Sequence, residues 1–323
     1  MTLGVVIPCY RQERFLPRTL AALERALGAH AWAGVLVLAA ADGAAEPPAL
    51  SARWTVLRAA GQRPLTPGAA RNLGLGRAPE PWVLFLDADV ELDADWAARA
   101  LAAAAGAEAS LAGFWGRLEE WFVDGAAERP GRRDLYGVGD GDHDSPYLAT
   151  LALYRAEALR AVGGYEPRLS SEEDFELGLR LRRQGFRLRC LSPLAGRHWS
   201  APRPSWAELG RRWRTGLCFG QGQVLRLYLG RPGLAEHLRR QALYLGTLAL
   251  WLSAAPAWAM GGARGLGLWA LAPLAVLALM TLRKRSAKLA LHSLATWSVN
   301  AAGMIVGFVR GGVPAPASPE VPC

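Results

Sequence analysis

Short apolar runs alternate with helical periodicity over the first third of the chain. Four runs have the length and the β-branched or aromatic content of buried strands; they are Leu3–Ile7, Val35–Ala39, Trp54–Leu57 and Trp82–Leu86. Between and after them, apolar positions repeat at helical spacing over Arg14–Leu27, Arg71–Arg77 and Asp95–Ala105. Strands that alternate with helices predict βαβ units, and therefore an α/β fold with a mostly parallel, Rossmann-like sheet covered by helices on both faces.

The pattern changes between Gly113 and Asp144, where Gly, Arg, Asp and Trp interrupt the periodicity. This composition predicts a strand pair and a mobile loop. Helical periodicity returns over Leu148–Val162 and Asp174–Gln184, and each of these stretches is followed by glycine, where a helix is expected to end.

The last third of the chain contains three long apolar stretches. Gln241–Met260 and Gly265–Leu282 contain no charged residue, and Leu289–Val309 contains only His292 as a titratable residue. A helix needs ~20 apolar residues to cross a bilayer core, so the first two stretches predict membrane-spanning helices. The third is either a span or a helix that lies in the interface. A buried helical bundle of a soluble protein is the alternative for all three.

The charge of the chain changes the interpretation of these stretches. Of 323 residues, 51% are hydrophobic, which excludes intrinsic disorder, and 37 basic against 28 acidic residues give a net charge of +9. Eight of the basic residues and one acid follow residue 238, which leaves only +2 for the first 238 residues. The excess therefore belongs to the apolar part, which disfavours nucleic acid as a partner and favours a membrane surface.

The basic residues also predict an orientation. Arg283–Arg285 and Lys288 lie between the second and third apolar stretches, whereas residues 261–265 contain one Arg. The positive-inside bias places the cationic loop, and with it the N-terminal domain, in the cytoplasm. The N-terminus does not resemble a signal peptide, and the four cysteines have no metal or redox spacing. We therefore expect a multi-pass protein of the inner (cytoplasmic) membrane with a cytosolic N-terminal domain.

Two carboxylates follow the fourth predicted strand, at Asp87 and Asp89. Ligands of open α/β sheets bind at the carboxyl ends of the strands. Two carboxylates at this spacing can hold a hard divalent cation while leaving positions for phosphate oxygens and water. The same pattern is also common in solvated turns and at helix starts, and Asp95 is predicted to cap the next helix in this way.

A second acidic group begins the helix predicted over Asp174–Gln184. Four acids fall within five residues there; they are Glu172, Glu173, Asp174 and Glu176. Acids at a helix start interact favourably with the helix dipole. Alternatively, one of them is a general base whose pKa is adjusted by its neighbours. Further along the chain, His198 is either a structural hydrogen-bonding residue or a metal ligand.

Taken together, these segments resemble the family 2 glycosyltransferases, which have the GT-A fold and transfer sugars from nucleotide diphosphates. The resemblance covers about residues 3–225. It rests on the order of several motifs, which are Val5–Tyr10, Gly68–Gly74, Leu86–Asp89, Gly163–Tyr165 followed by Glu173 and Asp174, Leu177 through Arg180 to Phe186, and His198.

The resemblance implies a role for each matching residue. It implies a nucleotide-sugar site lined by Pro8, Tyr10, Asp42, Arg71 and Asp87, a metal site formed by Asp89, Asp87 and His198, and Asp174 as the catalytic base. The expected cofactor is a divalent cation, Mg²⁺ or Mn²⁺. In this type of single displacement, the base takes the proton of the acceptor hydroxyl, and the configuration at the anomeric carbon inverts.

The chain departs from the family pattern at three places. Ala41 replaces the first of two acids after the second strand, and Arg11 replaces an Asn after the first. Processive members carry Gln-x-x-Arg-Trp, whereas this chain has Leu209 in place of the Gln before Arg212 and Trp213. The missing Gln favours the addition of one sugar per encounter. Arg212 and Trp213, together with Glu173, are candidates for the acceptor side.

These observations predict four regions. They are a GT-A catalytic domain over residues 1–225, a juxtamembrane linker over 226–240, two or three transmembrane helices over 241–310 and a flexible tail over 311–323. The resemblance implies a hexosyltransferase-type enzyme that uses a nucleotide-diphosphate sugar and a lipid or lipid-linked glycan acceptor at the cytosolic membrane face. The alternatives are a processive polysaccharide synthase and a catalytically silent membrane module that binds nucleotide sugars.

Overall fold

The computed structural model describes residues 2–39, 47–59, 64–125, 127–200 and 206–314. The chain forms two compact units, an N-terminal unit of residues 1–202 with 313–323 and a C-terminal unit of residues 203–312. Residues 206–225, which fall inside the predicted catalytic domain, belong to the C-terminal unit in the structure. The extent of the functional domain therefore stays a prediction.

The N-terminal unit alternates strands and helices. In chain order its described elements are β1 (Leu3–Cys9), α1 (Leu16–Leu27), β2 (Trp32–Leu38), β3 (Trp54–Arg58), α2 (Pro67–Leu75), β4 (Trp82–Leu86), β5 (Val90–Leu92), α3 (Ala94–Ala105), β6 (Leu111–Trp115), β7 (Leu118–Asp124), β8 (Ala127–Pro130), β9 (His143–Asp144), β10 (Leu151–Arg155), α4 (Ala156–Ala161), α5 (Glu173–Arg183), β11 (Arg187–Cys190) and β12 (Gly196–Ser200).

The strands form two sheets. The larger sheet has the order β3-β2-β1-β4-β10-β6-β11-β9, and the smaller one has the order β5-β12-β7-β8. The first four strands of the larger sheet are parallel, as predicted, but β10 runs antiparallel to both of its neighbours. The sheet is therefore mixed, with a parallel half that ends at β4.

Helices cover both faces of the larger sheet, as the sequence predicts. Val5 and Ile7 of β1 contribute to one core with the leucines of α1, whereas Val6 points to the opposite core with Ala70 of α2 and Leu177 of α5. Successive side chains of a strand point to opposite faces, so a run that is apolar at every position is buried on both sides.

Two sequence predictions are wrong in detail. Leu148–Val162 is not one helix, because its first part forms the buried strand β10 and only its second part forms α4. A short apolar run has no periodicity that separates a buried strand from a buried helix. The cap of α3 is Asp93 and not Asp95, since the Asp93 carboxylate accepts hydrogen bonds from the backbone N–H groups of Asp95 and Trp96 at 2.9 and 3.2 Å.

The described part of the C-terminal unit is helical. Its helices are α6 (Trp206–Arg214), α7 (Gly220–Leu227), α8 (Leu234–Arg240), α9 (Ala242–Leu252), α10 (Ala254–Lys284) and α11 (Ala287–Arg310). By length and composition, two helical stretches are suited to cross a membrane, Ala242–Lys284 and Ala287–Arg310. The most apolar part of the first stretch is only 6% buried, so its apolar side chains face outward.

The first of these stretches reverses direction. Gly262 has a non-helical backbone, with φ 53° and ψ −135°. Beyond it, the indole N–H of Trp269 donates to the carbonyl oxygen of Leu250 at 3.0 Å. In a continuous helix, residues this far apart in sequence would be separated by about 28 Å. The stretch therefore forms two antiparallel segments, which agree in position with the first two predicted spans.

Small residues bring α11 close to its neighbours. Gly303 and Gly307 lie one helical turn apart, and a Cβ at either position would overlap a backbone carbonyl, that of Cys218 or that of Phe219. This spacing is the Gly-x-x-x-Gly pattern by which helices approach closely in membranes. In this chain the pattern packs α11 against other residues of the C-terminal unit, which explains why α11 is more buried than Ala242–Lys284.

Candidate active site

The candidate site lies at the carboxyl ends of the parallel strands. Because β1 pairs in parallel with β4, the segments that begin at Tyr10 and at Asp87 leave the sheet at the same edge. Asp89 follows two residues after Asp87 and precedes β5. This edge is the place where open α/β sheets bind ligands.

Arg71 of α2 joins three carboxylates at this edge. It exposes only 4% of its surface. Its Nη2 donates to Asp87 Oδ1 at 2.9 Å, and its Nη1 donates to Glu173 Oε1 at 2.7 Å and lies 3.6 Å from Asp174 Oδ1. Burial disfavours the charged guanidinium, but the carboxylates of Asp174 and Asp87 hold the pKa of Arg71 well above its ordinary value. Arg71 therefore links Asp87, after β4, to the acids that begin α5.

The position of Arg71 follows from how α2 is anchored. The Thr66 hydroxyl accepts a hydrogen bond from the N–H of Ala69 at 3.1 Å, which caps the helix, and donates to the carbonyl oxygen of Pro167 at 2.6 Å. Asn72 donates to the carbonyl oxygen of Tyr165 and accepts from its N–H, both at 2.8 Å. These bonds fix α2 against the segment that leads into α5, and so hold Arg71 opposite Glu173.

Asp174 is partly buried near the start of α5. Burial raises the pKa of Asp174 above its ordinary value, although Arg71 and the backbone N–H of Thr150 oppose the shift. Thr150 has φ 40°, a left-handed conformation that is costly for a β-branched residue. Its carbonyl oxygen accepts the N–H of Asp87 at 3.2 Å. The strained residue thus contacts both acidic segments.

Asp89 lies between Gln12 and His198. The amide of Gln12 donates to Asp89 Oδ2, whereas Asp89 Oδ1 is buried without a hydrogen-bond partner. His198 Nε2 lies 3.6 Å from this oxygen, and His198 Nδ1 is hydrogen-bonded to the Ser200 hydroxyl at 3.1 Å. Burial raises the pKa of Asp89 to about 6, against the opposing effect of His198.

The comparisons with known proteins agree with this geometry. The model of the family described as "Glycosyl transferase family 2" matches residues 4–163, most of the N-terminal unit. The chain carries a family 2 glycosyltransferase domain. It is thus an enzyme of the glycosyltransferase type, and the predicted family and GT-A fold are confirmed.

Two solved structures that match the glycosyltransferase share little sequence with it. The mannosyltransferase PcManGT from Pyrobaculum calidifontis, solved with GDP-Man and Mn²⁺, is 16% identical with a TM-score of 0.52, and the match covers 95% of this chain and 86% of that chain. S. aureus TarS (residues 1–349), solved with UDP-GlcNAc, is 16% identical with a TM-score of 0.48, and the match covers 73% of this chain and 69% of that chain. No match was found among the curated proteins.

Two of the three predicted metal ligands fit a divalent cation in this glycosyltransferase. Asp89 offers a buried oxygen without a partner, and its 3.6 Å distance from His198 Nε2 suits two ligands that each lie ~2.1 Å from one ion. The bond from His198 to Ser200 leaves Nε2 available. One carboxylate oxygen of Asp87 instead pairs with the guanidinium of Arg71. Among the described residues, no three His, Cys, Asp or Glu side chains form a metal-binding group, so the three-residue set stays a prediction.

The structure locates only some of the residues that the resemblance implies for nucleotide-sugar binding. Pro8 lies in β1 and Tyr10 follows that strand, so both are at the correct edge, and both are partly buried. The guanidinium of Arg11 lies 5.4 Å from the centre of the Tyr10 ring. Asp42 lies outside the described residues. The contacts of Arg71 described above are to carboxylates, so its predicted contact with the nucleotide stays a prediction.

The three acceptor-side candidates lie in different units. Glu173 is in the N-terminal unit, where it is buried against Arg71. Arg212 and Trp213 lie on α6 of the C-terminal unit, and Trp213 packs edge-on against Phe219 with ring centroids 5.2 Å apart. Their acceptor role stays a prediction.

The sequence analysis missed two residues of the site. Gln12 could have been found, because it is a polar residue just after a strand that ends at the same sheet edge as Asp87. The residue type of Thr150 could not reveal its role, since Thr150 acts through its backbone N–H and carbonyl groups, which nearly every residue type carries.

Proposed function

We propose that this glycosyltransferase transfers a sugar, with inversion, from a nucleotide-diphosphate sugar to a lipid or lipid-linked glycan at the cytosolic face of the membrane. One observation carries the proposal: at a single sheet edge, Arg71 connects a partly buried carboxylate suited to act as a base, Asp174, with Asp87, which follows β4 and lies two residues before Asp89. An inverting displacement needs a base on one side of the reacting carbon and groups that receive the leaving diphosphate on the opposite side.

The proposed reaction begins at Asp174. Its carboxylate accepts the proton of the acceptor hydroxyl while the acceptor oxygen forms a bond to the anomeric carbon. The bond between that carbon and the diphosphate oxygen breaks, and its electron pair leaves with the nucleoside diphosphate. Because the pKa of Asp174 is raised toward neutral pH, its carboxylate is a stronger base than that of an exposed aspartate.

The leaving-group side of the proposed site contains Asp89 and His198. They would hold the divalent cation, which when bound neutralises charge on the diphosphate. Gln12 orients Asp89 by its hydrogen bond to Oδ2. Only one or two protein carboxylates are usual where substrate phosphates complete the coordination of Mg²⁺, and this agrees with the small ligand set.

The membrane part of the proposal is supported by the C-terminal unit. It presents outward-facing apolar helices and basic residues next to them, Arg283–Arg285 and Lys288. A catalytic domain on the same chain suits an acceptor that is itself held in the membrane. If purified enzyme preferred soluble sugars or proteins over every lipid extract tested, this part of the proposal would be wrong.

The removal of divalent cations is expected to abolish donor turnover. The test is a donor screen in which purified enzyme and lipid extract are incubated with UDP- and GDP-sugars, and release of the nucleoside diphosphate is measured with Mg²⁺, with Mn²⁺ and with a chelator. Release that depends on the cation and on lipid supports the proposal. Equal release in the presence of chelator contradicts the metal requirement.

Transfer is expected to slow as the pH falls through the pKa of Asp174, because a protonated carboxyl cannot accept the hydroxyl proton. Burial raises this pKa above the ordinary value of ~3.9, so the acid limb is expected well above pH ~4. The measurement is kcat at saturating donor and acceptor over about pH 5 to 9. A rate that is constant down to the lower end would exclude Asp174 as the base.

A further inference from the structure

Tyr136 lies beside the catalytic carboxylates without a part in the reaction described above. It belongs to the segment between β8 and β9, and it exposes 37% of its surface. Its hydroxyl is hydrogen-bonded to the hydroxyl of Thr150. The Thr150 carbonyl oxygen accepts the N–H of Asp87 at 3.2 Å, and its own N–H stabilises the carboxylate of Asp174, so one residue separates the phenol from both acidic segments.

The charges around Tyr136 agree with this placement. Burial of the hydroxyl raises the pKa of Tyr136. The hydrogen bond from Thr150 lowers this pKa, whereas the negative charges of Asp87, Asp174 and Asp89 raise it further. The phenol is therefore within electrostatic reach of all three carboxylates. It stays neutral at physiological pH, so it offers a hydroxyl and a ring rather than a charge.

The segment that carries Tyr136 is anchored on two sides. The carboxylate of Asp134 accepts the N–H of Gly139 at 2.7 Å, and the N–H of Leu135 donates to the carbonyl oxygen of Leu118 in β7 at 2.9 Å. The Tyr136 ring packs against Trp115 of β6, with centroids 5.9 Å apart. The ring is therefore positioned before any ligand binds, although sequence composition predicts a mobile loop here.

We infer that Tyr136 forms part of the acceptor subsite and that its exposed ring packs against a pyranose ring of the acceptor. This inference rests on the proposed function. A sugar ring has an apolar C–H face and polar edges, and tyrosine offers a rigid, amphipathic surface that loses little conformational entropy on binding. Ring packing continues from Tyr136 through Trp115 and Tyr147 to Phe175, which directly follows Asp174 in α5. This favours the acceptor over the donor, since Asp174 is the group that receives the acceptor proton.

The test separates acceptor binding from donor turnover. Enzyme in lipid nanodiscs is assayed for hydrolysis of the donor found in the screen and for transfer to octyl glucoside, octyl galactoside and octyl mannoside. Tyr136→Ala is expected to raise KM for the accepted glycoside at least 10-fold, with donor KM and hydrolysis within 2-fold of wild type. Tyr136→Phe and Tyr136→Trp, which keep an aromatic ring, are expected to restore acceptor KM to within about 3-fold. Trp54→Ala, which removes a partly exposed aromatic ring from the edge strand β3, is the matched control.

Two results would overturn the inference. An unchanged acceptor KM in Tyr136→Ala excludes a binding role, and a parallel rise in donor KM places the ring on the donor instead. Saturation-transfer NMR with methyl glucoside, galactoside and mannoside gives a readout without turnover, and the signal is expected in wild type and Tyr136→Phe but not in Tyr136→Ala. If wild type bound a glycoside but hydrolysed no donor, the proposed function would fail while the inference about Tyr136 would stand.

Discussion

Asp174→Asn is expected to lower kcat for transfer by about 10²- to 10⁴-fold, the range measured for removal of a general base. The amide has nearly the same shape as the carboxylate, but it cannot take the proton of the acceptor hydroxyl. In the proposed mechanism the donor binds at the acids after β4, so nucleotide affinity is expected to stay within a few-fold of wild type. The measurement is kcat for transfer together with nucleotide affinity by calorimetry.

The stability of this variant distinguishes a lost base from a lost fold. The raised pKa of Asp174 means that burial disfavours its ionised form, so an uncharged amide is expected to keep or increase the melting temperature at neutral pH. Asp95→Asn, which changes an exposed acid in the first turn of α3, is the matched control and is expected to behave like wild type. A variant at Asp174 with full activity would remove the proposed mechanism. A wild type that binds nucleotide sugar but never turns it over would instead favour the silent module.

The N-terminal half of the fold could be predicted because its information is local. Trp82–Leu86 was predicted with the same bounds as β4, and the other three early strands were found within a few residues of their ends. Buried parallel strands produce continuous apolar runs bounded by turn residues. The prediction of a helix from Leu148 onward was wrong because β10 inserts antiparallel between β4 and β6. This insertion is decided by tertiary pairing, which leaves no periodic signal in the sequence.

The candidate site was predictable in its residue types and not in its connections. Asp89 and His198 were both proposed as metal ligands, and the structure brings them to within 3.6 Å. The pairing of Arg71 with acids far along the chain could not be predicted, since it depends on how α2 is anchored beside α5. Sequence order shows which groups reach the sheet edge, whereas the orientation of each side chain is a property of the packed fold.

Arg71→Met is expected to destabilise the N-terminal unit by about 3–5 kcal/mol at neutral pH, the usual effect of removing one partner from a buried ion pair. The guanidinium is 4% exposed and contacts carboxylates on two segments, so its loss leaves Asp87, Glu173 and Asp174 without their shared cation. For a unit of this size the melting temperature is expected to fall by about 10 °C. Arg71→Lys keeps the charge but cannot donate to Asp87 and Glu173 in a fork, so it is expected to recover only part of the loss.

The pH dependence of this defect identifies its electrostatic cause. Without Arg71, the buried and partly buried carboxylates around it bind protons in the folded state at a pH where the unfolded chain is still ionised, so the stability of Arg71→Met rises relative to wild type as the pH falls. The deficit is therefore largest at neutral and alkaline pH and shrinks toward acid pH. Arg168→Met is the control, because Arg168 forms a similar pair with Glu166 but is half exposed, and its loss is expected to change stability by less than about 1 kcal/mol. If Arg71→Met showed the same deficit at every pH, the contribution of Arg71 would be packing rather than charge.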